Sequence, residues 1–119
     1  MELHKWDEIA EEQITPLLTR RFVSGEKMTV ARFFLKKGCV VAAHSHPNEQ
    51  MSTILSGALK FVIDGREVIV GAGETLHIPA NTPHSAEAME DTDALDVFSP
   101  TRSDWVEGRD DYLRGKPQV

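Results

Sequence analysis

The sequence has a single cysteine, no long apolar run and no surplus of positive charge. Cys39 has no partner for an internal disulfide, so nothing in the chain requires an oxidising compartment. No stretch approaches the roughly 18 apolar residues of a membrane span, and the start of the chain is acidic, unlike a signal peptide. We therefore expect a cytoplasmic protein without a membrane partner.

The charge balance argues against a nucleic-acid partner. The formal net charge is −6, whereas a protein that binds a duplex needs a basic face. Hydrophobic residues at 40% and charged residues at 27% are typical of a globular chain. A length of 119 residues predicts one domain over 1–119, with a core of about 17–100 and a C-terminal segment over 101–119.

Short apolar runs separated by turn residues follow one another along most of the chain. Asp64-Gly65 is the strongest short hairpin signal, and Ser24-Gly25 and Ser56-Gly57 mark further turns. Many short strands at this spacing are typical of a closed or sandwiched all-β domain. The predicted strands are residues 17–23, 28–35, 39–43, 51–55, 58–63, 67–70, 75–78, 85–89 and 94–98.

Helical patterning is confined to the two ends of the chain. Residues 6–13 are expected to form one or two turns. Residues 103–113 are expected to form a short C-terminal helix, with Ser103 as its cap and Trp105 and Val106 as its apolar contacts. The tail 115–119 is expected to fray.

The pattern that points to chemistry is a pair of histidines two residues apart. His44 and His46 lie on a strand-like segment, so both imidazoles project to the same face. Pro47 then bends the chain, and Gln50 begins the next strand, where its side chain can return to the same cavity. Converging neutral imidazoles are ligands for a borderline divalent metal.

A second stretch, from Gly73 to His84, brings in a third imidazole after a turn with two prolines. A lone histidine is usually an ordinary surface or core residue, and that interpretation is kept for His4 and His77. The two stretches together favour a metal site formed by His44, His46, Gln50 and His84.

The two stretches resemble the paired motifs of the cupin superfamily, over roughly residues 28–100. The matching positions are Gly38, His44, His46, Gly57, Gly73, Pro79 and His84. The resemblance implies an all-β double-stranded β-helix, a barrel related to the jelly roll, with short terminal helical segments.

Two positions depart from the cupin pattern. Asn81 stands where the second motif has glycine, and asparagine is the residue after glycine best suited to left-handed backbone. Gln50 stands where the first motif has glutamate, and Glu49 should point to the opposite face of an extended segment. Three histidines and a glutamine form a neutral shell that leaves the full charge on the ion. Such a shell favours an anionic substrate and disfavours the higher oxidation states of oxygen chemistry.

Downstream, Asp96 and Phe98 share one face of a strand and alternate with Leu95 and Val97. Asp96 faces the cavity if Leu95 and Val97 lie in the core between layers. A solvent-facing acid on a strand is the equal alternative on the pattern alone.

The segment from Asp96 to Arg102, with the metal motifs, is similar to the KdgF-type cupins of pectin and alginate breakdown. Those proteins convert 4,5-unsaturated uronate monosaccharides into the linear keto form. The resemblance implies that Asp96, Phe98 and Arg102 line the pocket, with Asp96 as a proton carrier and Arg102 as a partner for the substrate carboxylate.

The resulting expectation is an enzyme with one divalent ion per chain, Ni, Zn, Fe or Mn, acting on a small anionic sugar. A quercetinase-like metal-dependent dioxygenase and a non-catalytic sugar- or metal-binding barrel are the alternatives. A homodimer is expected, because a β-rich chain of this length has sheet edges to cover.

Overall fold

Ten β-strands account for most of the chain between Glu12 and Ser99 in the computed structural model, which describes residues 1–115. A 3₁₀ turn, Trp6–Glu8, precedes the strands, and a one-turn helix, α1 (Ser103–Val106), follows them. The strands are β1 (Glu12–Thr15), β2 (Leu18–Ser24), β3 (Thr29–Leu35), β4 (Val40–His44), β5 (Glu49–Ser56), β6 (Ala58–Ile63), β7 (Arg66–Gly71), β8 (Thr75–Ile78), β9 (His84–Ala88) and β10 (Thr92–Ser99).

The strands form two antiparallel sheets whose inner faces enclose the core. The six-stranded sheet has the order β1-β2-β3-β10-β5-β8, and the four-stranded sheet has the order β4-β9-β6-β7. Residues alternate between buried and partly exposed along β3 and β10, as expected for strands with one face on a core. The expected all-β architecture is confirmed.

The hairpin signals also correspond to turns. Asp64 and Gly65 form the two-residue connection between β6 and β7, and both have positive φ, 49° and 81°. Asn81 has a φ of 61°, which is the left-handed conformation expected at this position.

The ends of the chain differ from the helical expectation. Only Trp6–Glu8 forms a turn, and part of the predicted N-terminal helix is the strand β1, which pairs with β2. Pairing with a neighbouring strand satisfies more backbone groups than an isolated helical turn can.

The C-terminal helix is shorter than predicted. The helix α1 ends at Val106, and Gly108 follows with a φ of 76°, which cannot continue a right-handed helix. Ser103 is not its cap, because Arg102 occupies that position without a side-chain cap bond. Val106, an expected apolar contact, points to solvent. The predicted fraying falls mostly on residues 116–119, outside the described range.

The segment after β10 packs onto the barrel. The indole of Trp105 contacts the rings of Phe22, Phe33 and Phe98, with centroids 5.1–5.8 Å apart. Leu113 is also part of the buried core, as is Ile14 on β1. Asp110 accepts a hydrogen bond of 2.8 Å from the buried guanidinium of Arg20. The apolar core therefore extends beyond residues 17–100 in both directions.

Cys39 is a buried free thiol, and burial raises its pKa.

Within residues 1–115, no helix is both long and apolar enough to cross a membrane.

We expect Trp105→Ala to lower the free energy of unfolding by about 3–5 kcal/mol, because it leaves a cavity among three aromatic rings. Val106→Ala is the matched control, because Val106 is the next residue in the chain and its side chain is 61% exposed. This substitution should change the free energy of unfolding by about 0.5 kcal/mol or less. Urea denaturation followed by circular dichroism measures both. Equal effects of the two substitutions would show that the C-terminal segment does not contribute to the core.

Candidate metal centre and its two cavities

Three imidazoles meet where the two sheets open at one end of the barrel. His44 ends β4 and is paired directly with His84 at the start of β9, and His46 follows in the loop after β4. The backbone N–H of Asn81 donates a 2.8 Å hydrogen bond to the carbonyl of His46, which ties the two loops together. One ring nitrogen of each histidine lies within 4.8 Å of the others, so this cluster could hold a metal ion.

The orientation of each imidazole is set by a local hydrogen bond. The Nδ1 atoms of His44, His46 and His84 lie 2.7, 3.0 and 2.8 Å from the backbone carbonyls of residues 42, 48 and 82. A carbonyl only accepts, so each Nδ1 carries the proton and each Nε2 carries a lone pair. The Nε2 atom of His84 is buried without a hydrogen-bond partner. Three lone pairs directed into one space are an arrangement that a cation satisfies.

Burial keeps these imidazoles neutral. It lowers the pKa of His44 and of His46 to about 4, and it lowers the pKa of His84 in the same direction. The positive charge of Arg102 lowers all three pKa values further. A metal ligand must be the neutral imidazole, so the cluster is ready to bind an ion near neutral pH.

Gln50 brings an oxygen to the same place. Its Nε2 donates to the hydroxyl of Ser52 at 2.9 Å and to Oδ2 of Asp96 at 3.3 Å, which turns Oε1 toward Nε2 of His46, 3.1 Å away. Both of these facing atoms are acceptors, and two acceptors at this distance repel unless a proton or a cation lies between them. The donor set of three imidazole nitrogens and one amide oxygen therefore fits a divalent ion.

Glu49 does not contribute to the cluster. It points out of the barrel and its carboxylate lies 2.7 Å from Nε2 of His77, with both side chains about half exposed. His4 is also on the surface, beside Glu2.

Asp96 lies on the inner face of β10 and lines the same cavity as His44 and His84. Its Oδ2 accepts the hydrogen bond from Gln50, and its Oδ1 is buried without a hydrogen-bond partner. Burial raises the pKa of Asp96 to about 7, against the opposing effects of the Ser52 hydroxyl and the charge of Arg102. A bound cation nearby would lower this pKa.

Arg102 is 1% exposed and is held on several sides. Its guanidinium lies over the rings of Phe98 and Trp105, 4.7 and 4.3 Å from their centroids. Its Nε and Nη2 donate to the two carboxylate oxygens of Asp104 at 3.0 and 2.8 Å, and Nη2 also donates to the hydroxyl of Tyr112. Asp104 thus occupies the edge of the guanidinium, formed by Nε and Nη2, that could otherwise bind a substrate carboxylate. Of the three guanidinium nitrogens, Nε and Nη2 have hydrogen-bond acceptors among the described residues and Nη1 has none.

Two cavities adjoin the site. The chamber has a volume of about 60 Å³, with apolar walls and the polar side chains of His44, Gln50, His84 and Asp96. The outer cleft has a volume of about 540 Å³ and is lined by residues 45–48, 100–104, 108, 109, 111 and 112. Arg102 and Tyr112 line both and separate them.

Four residues of the site were not found from the sequence. Ser52 accepts a hydrogen bond from Gln50, and Asp104 accepts one from Arg102. The side chain of Asn48 donates to the carbonyl of Pro100. The ring of Tyr112 lies against His44, with centroids 4.6 Å apart. Tyr112 is the only tyrosine of the chain, but it follows the second motif by many residues, and no local pattern indicates that it returns to the barrel mouth.

Comparison with known proteins agrees with this architecture. Residues 31–99 match the family model of the Cupin domain. The pectin degradation protein KdgF of Dickeya dadantii is 28% identical over 104 residues, which are 84% of this chain and 94% of the relative.

Two solved structures show the same fold. KdgF from Halomonas sp. has a TM-score of 0.78 at 24% identity, covering 83% of this chain and 93% of that one. An RmlC-like cupin from Shewanella frigidimarina has a TM-score of 0.83 at 23% identity, covering 88% and 96%.

The fold and the site define a small β-barrel protein with an imidazole cluster at its mouth. The chain belongs to the cupin family, because the family model matches more than half of it. The resemblance to cupins of the KdgF type is confirmed by the relative from Dickeya dadantii and by the fold of the Halomonas protein.

We expect protein purified without an affinity tag to contain about one divalent ion per chain by elemental analysis. His84→Ala should lower this content sharply, because two imidazoles and an amide seldom retain a transition metal. His77→Ala is the matched control, since its side chain is on the surface against Glu49, and it should keep the ion. Full metal content in His84→Ala would contradict the assignment of the cluster.

Proposed function

We propose that the protein is a metal-dependent enzyme that opens the ring of 4,5-unsaturated uronate monosaccharides and converts them into the linear keto form. The observation that carries this proposal is the unpartnered, buried Oδ1 of Asp96, in the same chamber as His44 and His84 of the imidazole cluster. The relative from Dickeya dadantii, named for pectin degradation, supports the substrate class.

The reaction is an isomerisation, so it needs a proton carrier and no oxidant. A proton leaves the hydroxyl on the anomeric carbon and the bond from that carbon to the ring oxygen breaks. The ring oxygen then becomes the ketone oxygen while the alkene carbon gains a proton. Asp96 accepts the first proton at Oδ1 and delivers a proton to carbon, so its own protonation state is restored at the end. The hydrogen bond from Gln50 holds Oδ2, which keeps Oδ1 directed into the chamber.

The ion is Ni, Zn, Fe or Mn, held by His44, His46, Gln50 and His84, and it would supply Lewis acidity toward a substrate oxygen. Because the four side chains are neutral, they leave its positive charge available for an anionic sugar. Arg102 contributes a second positive charge beside the chamber, and the ring of Phe98 fixes the plane of its guanidinium. The free thiol of Cys39 is consistent with a reducing, cytoplasmic compartment.

We expect Asp96→Asn to lower kcat by about 100-fold or more with a small change in KM, because the amide keeps the shape but cannot carry the proton. Loss of absorbance of the conjugated alkene measures the reaction, against an enzyme-free control for spontaneous ring opening. Asp93→Asn is the matched control, since Asp93 lies on the same strand, outside the barrel, in an ion pair with Arg32.

If Asp96→Asn turned over the substrate as fast as the wild type, Asp96 would not be the proton carrier. If the wild type accelerated the reaction of no unsaturated uronate, the proposed ketonisation would be wrong. Consumption of oxygen with a polyphenol substrate would then favour the dioxygenase alternative.

We also propose that the protein is a homodimer through the outer face of its six-stranded sheet. What supports this is a row of apolar side chains across four paired strands: Val23, Val30, Val97 and Met51. Met51 is 44% exposed, on a strand that is paired on both sides.

We expect light scattering to give twice the chain mass for the wild type and the chain mass for Met51→Lys, because a buried lysine without a partner opposes association. Ile69→Lys, on the edge strand of the other sheet, is the control and should leave the mass doubled. A monomeric wild type would contradict the proposal.

A further inference from the structure

Most of the polar side chains in the chamber can only accept a hydrogen bond from a bound molecule. The Nδ1–H groups of His44 and His84 are already bonded to backbone carbonyls, so each ring offers only the lone pair of Nε2. The two amide hydrogens of Gln50 are donated to Ser52 and to Asp96, and its amide oxygen only accepts. Apart from a bound cation and the proton that Asp96 carries, a negative charge in the chamber therefore finds no partner among these side chains.

The hydroxyl of Tyr112 differs from these groups, because its hydrogen is not in use. Its oxygen accepts hydrogen bonds from Nη2 of Arg102 and from the indole Nε1 of Trp105, the latter at 3.0 Å. A guanidinium and an indole N–H can only donate, so the O–H hydrogen takes part in neither bond and has no acceptor among the described residues. Tyr112 lines the chamber together with Asp96. Its hydroxyl can therefore donate to a molecule that is bound beside Asp96.

The two hydrogen bonds that this hydroxyl accepts make it a stronger donor. The guanidinium and the indole N–H both withdraw electron density from the phenol oxygen, and hydrogen bonds in such a chain polarise one another. The charge of Arg102 is permanent, and its guanidinium is fixed by two bonds to Asp104. The ring of Tyr112 lies against the imidazole of His44, with centroids 4.6 Å apart. A donor that is held in place in advance can stabilise a new charge without reorganising.

The proposed reaction puts a negative charge on one particular oxygen. When the bond from the anomeric carbon to the ring oxygen breaks, its electron pair stays on the ring oxygen, which forms an enolate with the alkene. That pair then forms the ketone, and the alkene carbon takes a proton from Asp96. The charge on this oxygen is greatest between the two steps, so a donor placed there lowers the barrier.

We propose that Tyr112 is a catalytic residue whose hydroxyl donates a hydrogen bond to the ring oxygen as that oxygen becomes negative. Tyr112 keeps its proton throughout, and Asp96 remains the proton carrier. This inference rests on the proposed function for the identity of the reacting oxygen. It gives the C-terminal segment a chemical role in addition to its packing against the barrel.

The first test is Tyr112→Phe, which keeps the aromatic ring and leaves the two bonds from Arg102 to Asp104. We expect kcat on unsaturated uronate to fall about 100-fold with less than about a threefold change in KM, because the lost bond is strongest in the transition state. Metal content should not change. Thr75→Val is the matched control, since it also removes one hydroxyl and one hydrogen bond, with Thr53 in an exposed position, and it should change kcat less than about twofold.

A fluorinated tyrosine separates donation by the hydroxyl from a structural role. Tyr112 is the only tyrosine of the chain, so protein made with 3-fluorotyrosine is altered at this position alone. Fluorine makes the phenol more acidic, so its O–H donates a stronger hydrogen bond while its oxygen accepts weaker ones from Arg102 and Trp105. At a pH where the fluorophenol is still protonated, we expect kcat to rise about twofold. A kcat that does not rise would overturn the inference, because the hydroxyl would then act only by holding its two neighbours.

Binding of oxalate tests the donor without turnover. The linear keto product has its ketone beside the carboxylate, and oxalate is a stable, planar mimic of the enolate of such a 2-keto acid. With the ion bound, we expect Tyr112→Phe to bind oxalate about tenfold more weakly than the wild type by calorimetry, because a hydrogen bond to a charged oxygen is lost. Equal affinities would overturn the inference.

Together these measurements separate the inference from the proposed function. If no unsaturated uronate is turned over but Tyr112→Phe weakens oxalate binding, the ketonisation is wrong and Tyr112 remains the donor to an enolate-like anion. If the wild type turns over unsaturated uronate and Tyr112→Phe has the same kcat, the ketonisation stands and the role of Tyr112 is wrong.

Discussion

The hydrogen bonds from the three imidazole Nδ1 atoms to backbone carbonyls are the constraint on which the site depends. Each acceptor is two residues away in the chain, at Ala42, Asn48 and Thr82. Because the partners are so close in sequence, the local backbone of each loop or strand end determines which ring nitrogen carries the proton. All three Nε2 lone pairs are then directed into the barrel mouth, where burial also disfavours protonation. An ion removes the mutual repulsion that this arrangement creates.

Glutamine at position 50 is suited to the carboxyl of Asp96. The amide of Gln50 donates to Asp96 and directs its oxygen toward His46 at the same time. A glutamate at this position has no proton to donate when ionised, and it would place a second negative charge against Asp96 in a buried space. The chamber therefore has one carboxyl group, and that group is oriented by Gln50, whose amide oxygen faces the imidazole cluster. A proton carrier and a cation can coexist in this arrangement.

The C-terminal segment forms part of the site although it lies outside both sequence motifs. It contributes Trp105 to the aromatic stack, Asp104 to Arg102 and Tyr112 to the wall over His44. Leu113 in the core and the pair of Asp110 with Arg20 anchor this segment to the barrel. The segment thus lies between two cavities, a small chamber with apolar walls and a larger cleft with many polar side chains.

The sequence by itself predicted the strands, the Asp64-Gly65 turn and the residues of the imidazole cluster with Gln50. These depend on alternation, turn chemistry and ligand spacing, which act over a few residues. It misjudged the ends, where β1 pairs with β2 instead of forming helix and α1 stops before Gly108. Only the tertiary structure decided that Asp96 has an unpartnered oxygen in the chamber and that Asp104 binds the guanidinium of Arg102. It also decided that the ring of Tyr112 contacts His44. Those features, and the volumes of both cavities, arise from packing between distant parts of the chain, on which local patterns carry no information.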